Sequence, residues 1–401
     1  MKKKNIKFED IPFDKNEIEQ NKLDIENKER SNLFTWNGQF SPQFVEVILK
    51  KYAKENNNIL DPFLGSGTVV YEAALRNLNA YGVELNTSAY LISSLYKFIN
   101  VNYEKRKFEI DKIEYKLNGE FGLEEIDVDI ISSKLKDILS SAEDIYEEDI
   151  VRGFIVLLDL YNKKIDTEIL FKKWKQFKDT IINFPYNDKR IVIMNNDSRK
   201  IPIDDNNIDL VLTSPPYINV YNYHQQYRKS VELLGYNVLE KAKSEVGSNR
   251  KFRSNRFFTV VQYSKDICLI LNELVRVCKN RARIIFVVGR ESNVRGVSFY
   301  NSRIVYRLAT EVLGLEFVLK QERVFKNRYG QMIYEDILHI INNKKSIGKN
   351  RDELIELSGK IAVEELVKAR KTVKDNIILE EIESAITNVE QINISPIALL
   401  W

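Results

Sequence analysis

The chain is poor in the residues that staple or coordinate. It has two cysteines, Cys268 and Cys278, in 401 residues. That excludes a disulfide framework and fits a reducing cytoplasm. Both fall within an amphipathic helical pattern, so both are expected in a core. The two histidines, His224 and His339, stand far apart with no cysteine near them, and no metal site is expected. No run of about 18 apolar residues occurs, which argues against a membrane-spanning helix. The opening MKKKNIKFEDIPFDK is basic but has no apolar stretch, so it does not read as a secretory signal. A net charge of +3 excludes nothing by itself. What the chain does have is 44% hydrophobic beside 30% charged residues, the composition of a globular protein with a core.

Seven short apolar runs are bounded by Asn, Asp, Gly or Pro: 57–63, 80–86, 190–197, 208–214, 282–289, 315–325 and 336–343. Each reads as a strand buried on both faces. Helical patterns lie between them, at 67–77, 264–280 and 301–314. The alternation predicts an open, mostly parallel α/β sheet with helices on both faces. Ligands bind such sheets beyond the carboxyl ends of the strands, where Asp61, Glu84, Asp197 and Ser214 all fall. The division expected is a charged, partly disordered arm (1–30), a first half of the core (31–100), a mainly helical insertion (101–188), a second half (189–345) and a helical extension (346–401). Within the insertion, 120–149 carries eleven acidic residues against two lysines, unsuited to facing phosphates. Phe171, Trp174 and Phe177, in a basic amphipathic helix over 168–184, read as a core stripe.

Two stretches carry chemistry. In ILDPFLGSGTVVYEAAL, Gly65 and Gly67 sit between a strand and a helix, where glycine lets the backbone approach a ligand. No lysine follows Gly67, which rules out a P-loop, and Val70 stands where a dinucleotide fingerprint wants its third glycine. A nucleoside ligand without phosphates, such as S-adenosylmethionine, remains. Asp61 suits its cationic tail, Glu84 the ribose hydroxyls, and Asp197-Ser198 the adenine amine. The second stretch is DLVLTSPPYINVYNYH (209–224), where a strand runs into two prolines that cannot continue a ladder.

DPFLGSGT followed downstream by TSPPY resembles the signature pair of the DNA amino-methyltransferases, which methylate cytosine N4 or adenine N6. FTWNGQFSPQFVEVIL (34–49) resembles that family's additional cofactor motif, with Phe40 and Pro42 at matching positions. The likeness covers about 31–100 and 185–345. It implies a Rossmann-like class I methyltransferase fold with a mostly parallel seven-stranded sheet, S-adenosylmethionine as cofactor and double-stranded DNA as partner. Phe40, Pro42, Asp61, Phe63, Gly65, Gly67, Thr68, Glu84, Asp197 and Ser198 are then the cofactor-binding set. Ser214, Pro215, Pro216 and Tyr217 are the catalytic set. Serine at the first motif position is typical of the cytosine-N4 branch, whereas adenine enzymes more often carry Asp or Asn there.

The chemistry agrees with the resemblance. An exocyclic amine is a weak nucleophile until both its protons are hydrogen-bonded, and Ser214 Oγ and the Pro215 carbonyl can accept them from a stiff loop. Tyr217 can stack on a base turned out of the duplex. Methylation at cytosine C5 needs a nucleophilic cysteine and is excluded by the helical, apolar setting of both cysteines.

From His224 to Arg256, eight Lys/Arg face three Glu, a net of +5. Arg250, Lys251, Arg253 and Arg256, in a basic loop within 241–256, can meet phosphates or base edges. Tyr221, Tyr223 and His224 are expected to line the base pocket or its approach. The resemblance also implies a restriction endonuclease as partner. The alternatives are adenine N6 methylation and a non-catalytic DNA-binding module.

Overall fold

The computed structural model describes residues 7–122, 127–161, 165–218, 222–247, 252–327, 329–344 and 348–398. It opens with α1 (Gln20–Asp24) and α2 (Pro42–Tyr52). The first half of the core follows as β1 (Asn58–Asp61), α3 (Thr68–Ala74), β2 (Asn79–Val83) and α4 (Thr87–Ser94). Four helices make the insertion: α5 (Tyr103–Glu120), α6 (Val128–Ser140), α7 (Ile145–Leu158) and α8 (Thr167–Ile182). Then come β3 (Ile191–Met194), β4 (Ile208–Thr213), α9 (Arg228–Leu233), α10 (Val238–Ala242), α11 (Phe258–Val277) and β5 (Cys278–Gly289). A hairpin of β6 (Ser292–Val294) and β7 (Val297–Phe299), α12 (Asn301–Arg307), β8 (Glu316–Lys326) and β9 (Met332–Ile341) complete the core. Helices α13 (Arg351–Arg370) and α14 (Asn376–Thr387) follow.

The seven-stranded sheet has the order β3-β2-β1-β4-β5-β9-β8. The first five strands are parallel, with Leu60 beside Tyr81 on one side and Val211 on the other. β9 runs antiparallel to both β5 and β8. The fold is thus the open, mostly parallel sheet that the alternation predicted, in the class I methyltransferase arrangement that the resemblance implied. Alternate strand residues feed two apolar layers: Ile59, Leu210 and Ile285 face one, Leu60, Val211 and Ile284 the other. This period of two over every central strand is why these runs fold as buried strands. The insertion joins the first layer through Phe154, Trp174 and Phe177, whose rings pack together, so the aromatic stripe of α8 is core.

Three expectations change. β8 is an edge strand with an irregular burial pattern and carries Lys320, Gln321 and Arg323 inside. Its open side is covered from Phe8 to Asp24. Phe13 bridges to Lys320, the Lys320 ammonium lies over the Phe8 and Phe13 rings, and Val324 N donates to Asp24 Oδ1 at 2.7 Å. From Lys7 onward the charged arm is therefore folded, because an unpaired edge is a liability that covering removes. Finally, Cys278 opens β5 rather than ending a helix.

Candidate active site

β1 lies between β2 and β4, so the loops leaving its carboxyl end diverge and open a crevice. A cleft of about 650 Å³ occupies that place. Its walls take Phe63 and Gly65 from the loop after β1, Glu84 from beyond β2, and Asp197 and Ser198 from beyond β3. Ser214 and Pro216, from beyond β4, line the same cleft. The structure therefore brings the glycine loop and the Ser-Pro-Pro loop to one cavity.

The glycine loop folds back over β2: Leu64 N donates to the Val83 carbonyl at 3.1 Å. A Cβ on Gly82 would lie 2.4 Å from Leu64 Cδ2, so β2 must carry glycine there. Gly65 has φ +53° and donates its N–H to Glu84 Oε2 at 2.7 Å. Gly67, at φ +89°, serves packing: a Cβ would meet the Tyr96 ring at 2.6 Å.

Glu84 holds both flanking loops, since its Oε1 accepts from Asn86 N at 2.7 Å. Burial pushes its carboxyl up to about 7 against these hydrogen bonds, helped by the charges of Asp61 and Glu245. Asp61 lies just beneath the loop, with Oδ1 accepting from Phe63 N (3.0 Å) and Thr213 Oγ1 (2.7 Å). Burial pushes it up to about 7 as well. Glu84 lines the cleft and Asp61 is buried behind its wall; two desolvated carboxylates so placed favour a ligand that brings donors and positive charge. Phe63, Val246 and Ile270 add apolar surface for a planar ring.

Several expected cofactor contacts are corrected. Both oxygens of Asp197 are engaged by Arg199, Nε to Oδ1 at 2.9 Å and Nη2 to Oδ2 at 2.5 Å. Its carboxylate is thus spoken for by an internal cation and is not left open to an adenine amine. The Ser198 hydroxyl donates to the Pro62 carbonyl and pins the loop after β1. Phe40 is packed on Phe44, and Pro42 and Thr68 line a separate cavity. These three act from behind: Asn32 donates to the Phe40 carbonyl (2.8 Å) and accepts from Thr68 Oγ1 (2.8 Å). Their observed contacts support the loop from outside the cleft lining.

On the other wall, Ser214 Oγ lies 3.3 Å from the Tyr217 hydroxyl, which donates to Glu335 Oε1 at 3.2 Å. With the tyrosine proton on Glu335, Ser214 donates to Tyr217 and keeps its lone pairs for the cleft. Tyr217 itself is half-buried outside the cleft walls, over Gly289, where a Cβ would fall 2.5 Å from its ring. Tyr223 lines the cleft and stacks on Trp36, 6.4 Å away at 12°. His224 is turned inward, buried, with Nδ1 3.0 Å from Glu245 Oε2, so it is not a surface contact. Tyr221, Arg250 and Lys251 lie outside the described residues. Arg253 is exposed and Arg256 half-buried. Gly247 packs on Tyr217, with its own Cβ position 2.7 Å from the Tyr217 carbonyl, so the basic stretch starts against the Ser-Pro-Pro loop.

Burial pushes both thiols up to about 12, far from a thiolate nucleophile. The residues missed from sequence are Trp36, Glu245, Arg199, Gly289 and Glu335. Trp36 stood in the quoted 34–49 stretch and Gly289 ended a quoted strand, but only the fold shows what each meets.

The strand order is that of a Rossmann-like class I methyltransferase fold. Residues 2–94 match the family model N6_N4_Mtase, described as a DNA methylase. A curated relative, the Type II methyltransferase M.MjaII of Methanocaldococcus jannaschii, is 23% identical, over 78% of this chain and 81% of its own length. Both likenesses support the DNA amino-methyltransferase family, with S-adenosylmethionine as cofactor, and leave cytosine N4 and adenine N6 undivided. Among solved structures, an S-adenosylmethionine-dependent methyltransferase from Methanosarcina mazei aligns with 11% identity and TM-score 0.34, covering 73% of this chain and 96% of that one. TrmN from Thermus thermophilus aligns with 12% identity and TM-score 0.30, covering 76% and 50%. The fold assignment rests on the strand order itself. Among the described residues, no helix is long and apolar enough to cross a membrane.

Proposed function

We propose that this DNA methyltransferase acts on the exocyclic N4 amine of a cytosine turned out of the duplex, as the modification partner of a restriction endonuclease. The observation that carries the reading is the shared cleft: Gly65 and Glu84 on one wall, Ser214 and Pro216 on the other. S-adenosylmethionine supplies a methyl group activated on a sulfonium. Asp61 and Glu84 suit its ammonium and its ribose hydroxyls, and the apolar side chains of Phe63, Val246 and Ile270 suit its ring. Ser214 Oγ and the Pro215 carbonyl accept the two amine protons, which localises the nitrogen lone pair toward the methyl group. Tyr217 and Glu335 hold the Ser214 proton away from the substrate. The prolines keep these acceptors in place, so little reorganisation accompanies transfer. Tyr223 and Trp36 offer an aromatic wall for a base removed from its stack.

Serine at the first motif position supports cytosine over adenine, and the name of the Type II relative supports the restriction role. Arg253, Arg256 and the neighbouring basic residues are read as phosphate contacts. Genomic DNA incubated with the chain and methyl-labelled cofactor, digested to nucleosides and weighed, tests the proposal. Label in N4-methylcytosine is expected. Label in N6-methyladenine would transfer the same site to adenine, and label in 5-methylcytosine would overturn it.

A further inference from the structure

Beyond the cleft's own walls, one buried cation joins it to the C-terminal segment. Every nitrogen of the Arg199 guanidinium is engaged. Besides Asp197, Nη1 donates to Asp266 Oδ1 of α11 at 2.7 Å and to the Ser395 carbonyl at 2.6 Å. Nη2 reaches the Pro396 carbonyl at 2.9 Å and the Ser244 carbonyl at 3.3 Å. Arg199, Asp197 and Asp266 are all buried. The segment is held from its own side too. Ser395 N donates to Asp266 Oδ1 (3.1 Å), Ala398 N to Asp197 Oδ2 (3.3 Å), and Gln262 Nε2 to the Asn393 carbonyl (2.8 Å). Lys265 Nζ donates to the Val389 and Ile392 carbonyls, both at 2.7 Å.

Asp197, in the loop after β3, and Ser244, just after α10, both line the cleft. Two carbonyls of the segment thus complete the acceptor set around the cation that fixes them. Without the segment, a buried guanidinium would lose two acceptors, and a buried donor left unmade is costly. The cheapest relief is for Arg199 to turn, taking Asp197 with it.

We propose that Arg199 is a positioning residue for the cofactor site, and that docking of residues 393–398 sets cofactor affinity through it. The proposal rests on the reading of this cleft as the S-adenosylmethionine site. Titration calorimetry with S-adenosylmethionine would compare the full chain, a chain ending at Ile392, Ala398→Pro and Arg199→Lys. Steady-state methylation of genomic DNA would give KM for the cofactor and kcat, and urea unfolding without ligand would give stability. Loss of about tenfold or more in affinity is expected for the shortened chain and for Arg199→Lys, on the scale of one or two charge-assisted hydrogen bonds. A smaller loss is expected for Ala398→Pro, with kcat at saturating cofactor within about twofold throughout. Should the shortened chain not fold, the two point variants decide on the same affinity criterion. Equal affinity in all folded variants, with only the urea midpoint lowered, overturns the proposal. A full chain that binds neither S-adenosylmethionine nor S-adenosylhomocysteine would instead overturn the reading of the cleft.

Discussion

The two ends of the cleft treat buried negative charge in opposite ways. At the β3 end, Asp197 and Asp266 share one internal cation, Arg199. At the β1–β2 end, the hydrogen bonds to Asp61 and Glu84 among the described residues come from neutral donors, the backbone and Thr213, with the Lys241 ammonium acting on Glu84 without a hydrogen bond, and burial pushes both up to about 7. The first pair is closed within the chain and acts by holding that wall of the cleft in place. The second is an arrangement that a cationic, hydroxyl-bearing ligand completes. Burial alone does not mark an acid as functional; what neutralises it does.

The comparison is broken most severely at that shared cation. Replacing Arg199 by Met strands two carboxylates, and a loss of about 3–5 kcal/mol in unfolding free energy is expected in urea titration. Glu84→Gln carries the opposite signature. The amide keeps only one of the two acceptors that Asn86 N and Gly65 N use, so the ligand-free chain loses only about 1–2 kcal/mol in urea, while cofactor affinity by calorimetry falls about ten- to a hundredfold, through weaker ribose hydrogen bonds.

The pH dependence sharpens the contrast. Asp61 and Glu84 take up protons in the ligand-free chain as pH falls through about 7. A cationic ligand needs them ionised, so cofactor affinity should drop below that point, by roughly up to tenfold per pH unit for each group that must ionise. The contribution of these two groups to folding runs the other way. Their carboxyls are held above the ordinary 3.8 and 4.5, so it grows as pH falls from about 7 toward those values. Calorimetry across pH 5.5 to 8.5, compared with Asp61→Asn, checks the sign, and that variant should flatten the slope.

Sequence reading went far at this edge because the chemistry there is local. Asp61, Gly65 and Glu84 each follow a recognisable strand, and Ser214-Pro-Pro closes another, so strand order alone brings them together. Asp197 shows where such reading stops. Its position was correct, yet the partner that occupies it is two residues away and is itself held by Asp266 and Ser395, which no spacing relates. Phe40 and Thr68 fail for the same reason: motif membership does not say whether a side chain faces a ligand or supports the loop. The reversed course of β9 was hidden because an apolar run reads the same in both directions. The folding of the arm depended on an open edge that only the strand order exposes.

The smallest effect lies on the substrate side. Tyr217→Phe removes the acceptor that holds the Ser214 proton, so kcat should fall about fivefold, one hydrogen bond's worth. KM for the cofactor should stay unchanged, which separates this wall of the cleft from the acidic one in steady-state methylation assays.

A structure of the chain with S-adenosylhomocysteine and a duplex carrying its modified sequence would address the shared cleft most directly. The account expects the thioether over Gly65 and Glu84 and an extruded cytosine whose amine donates to Ser214 Oγ and the Pro215 carbonyl. A base seated away from Ser214, or a cofactor outside the Glu84 wall, would contradict it.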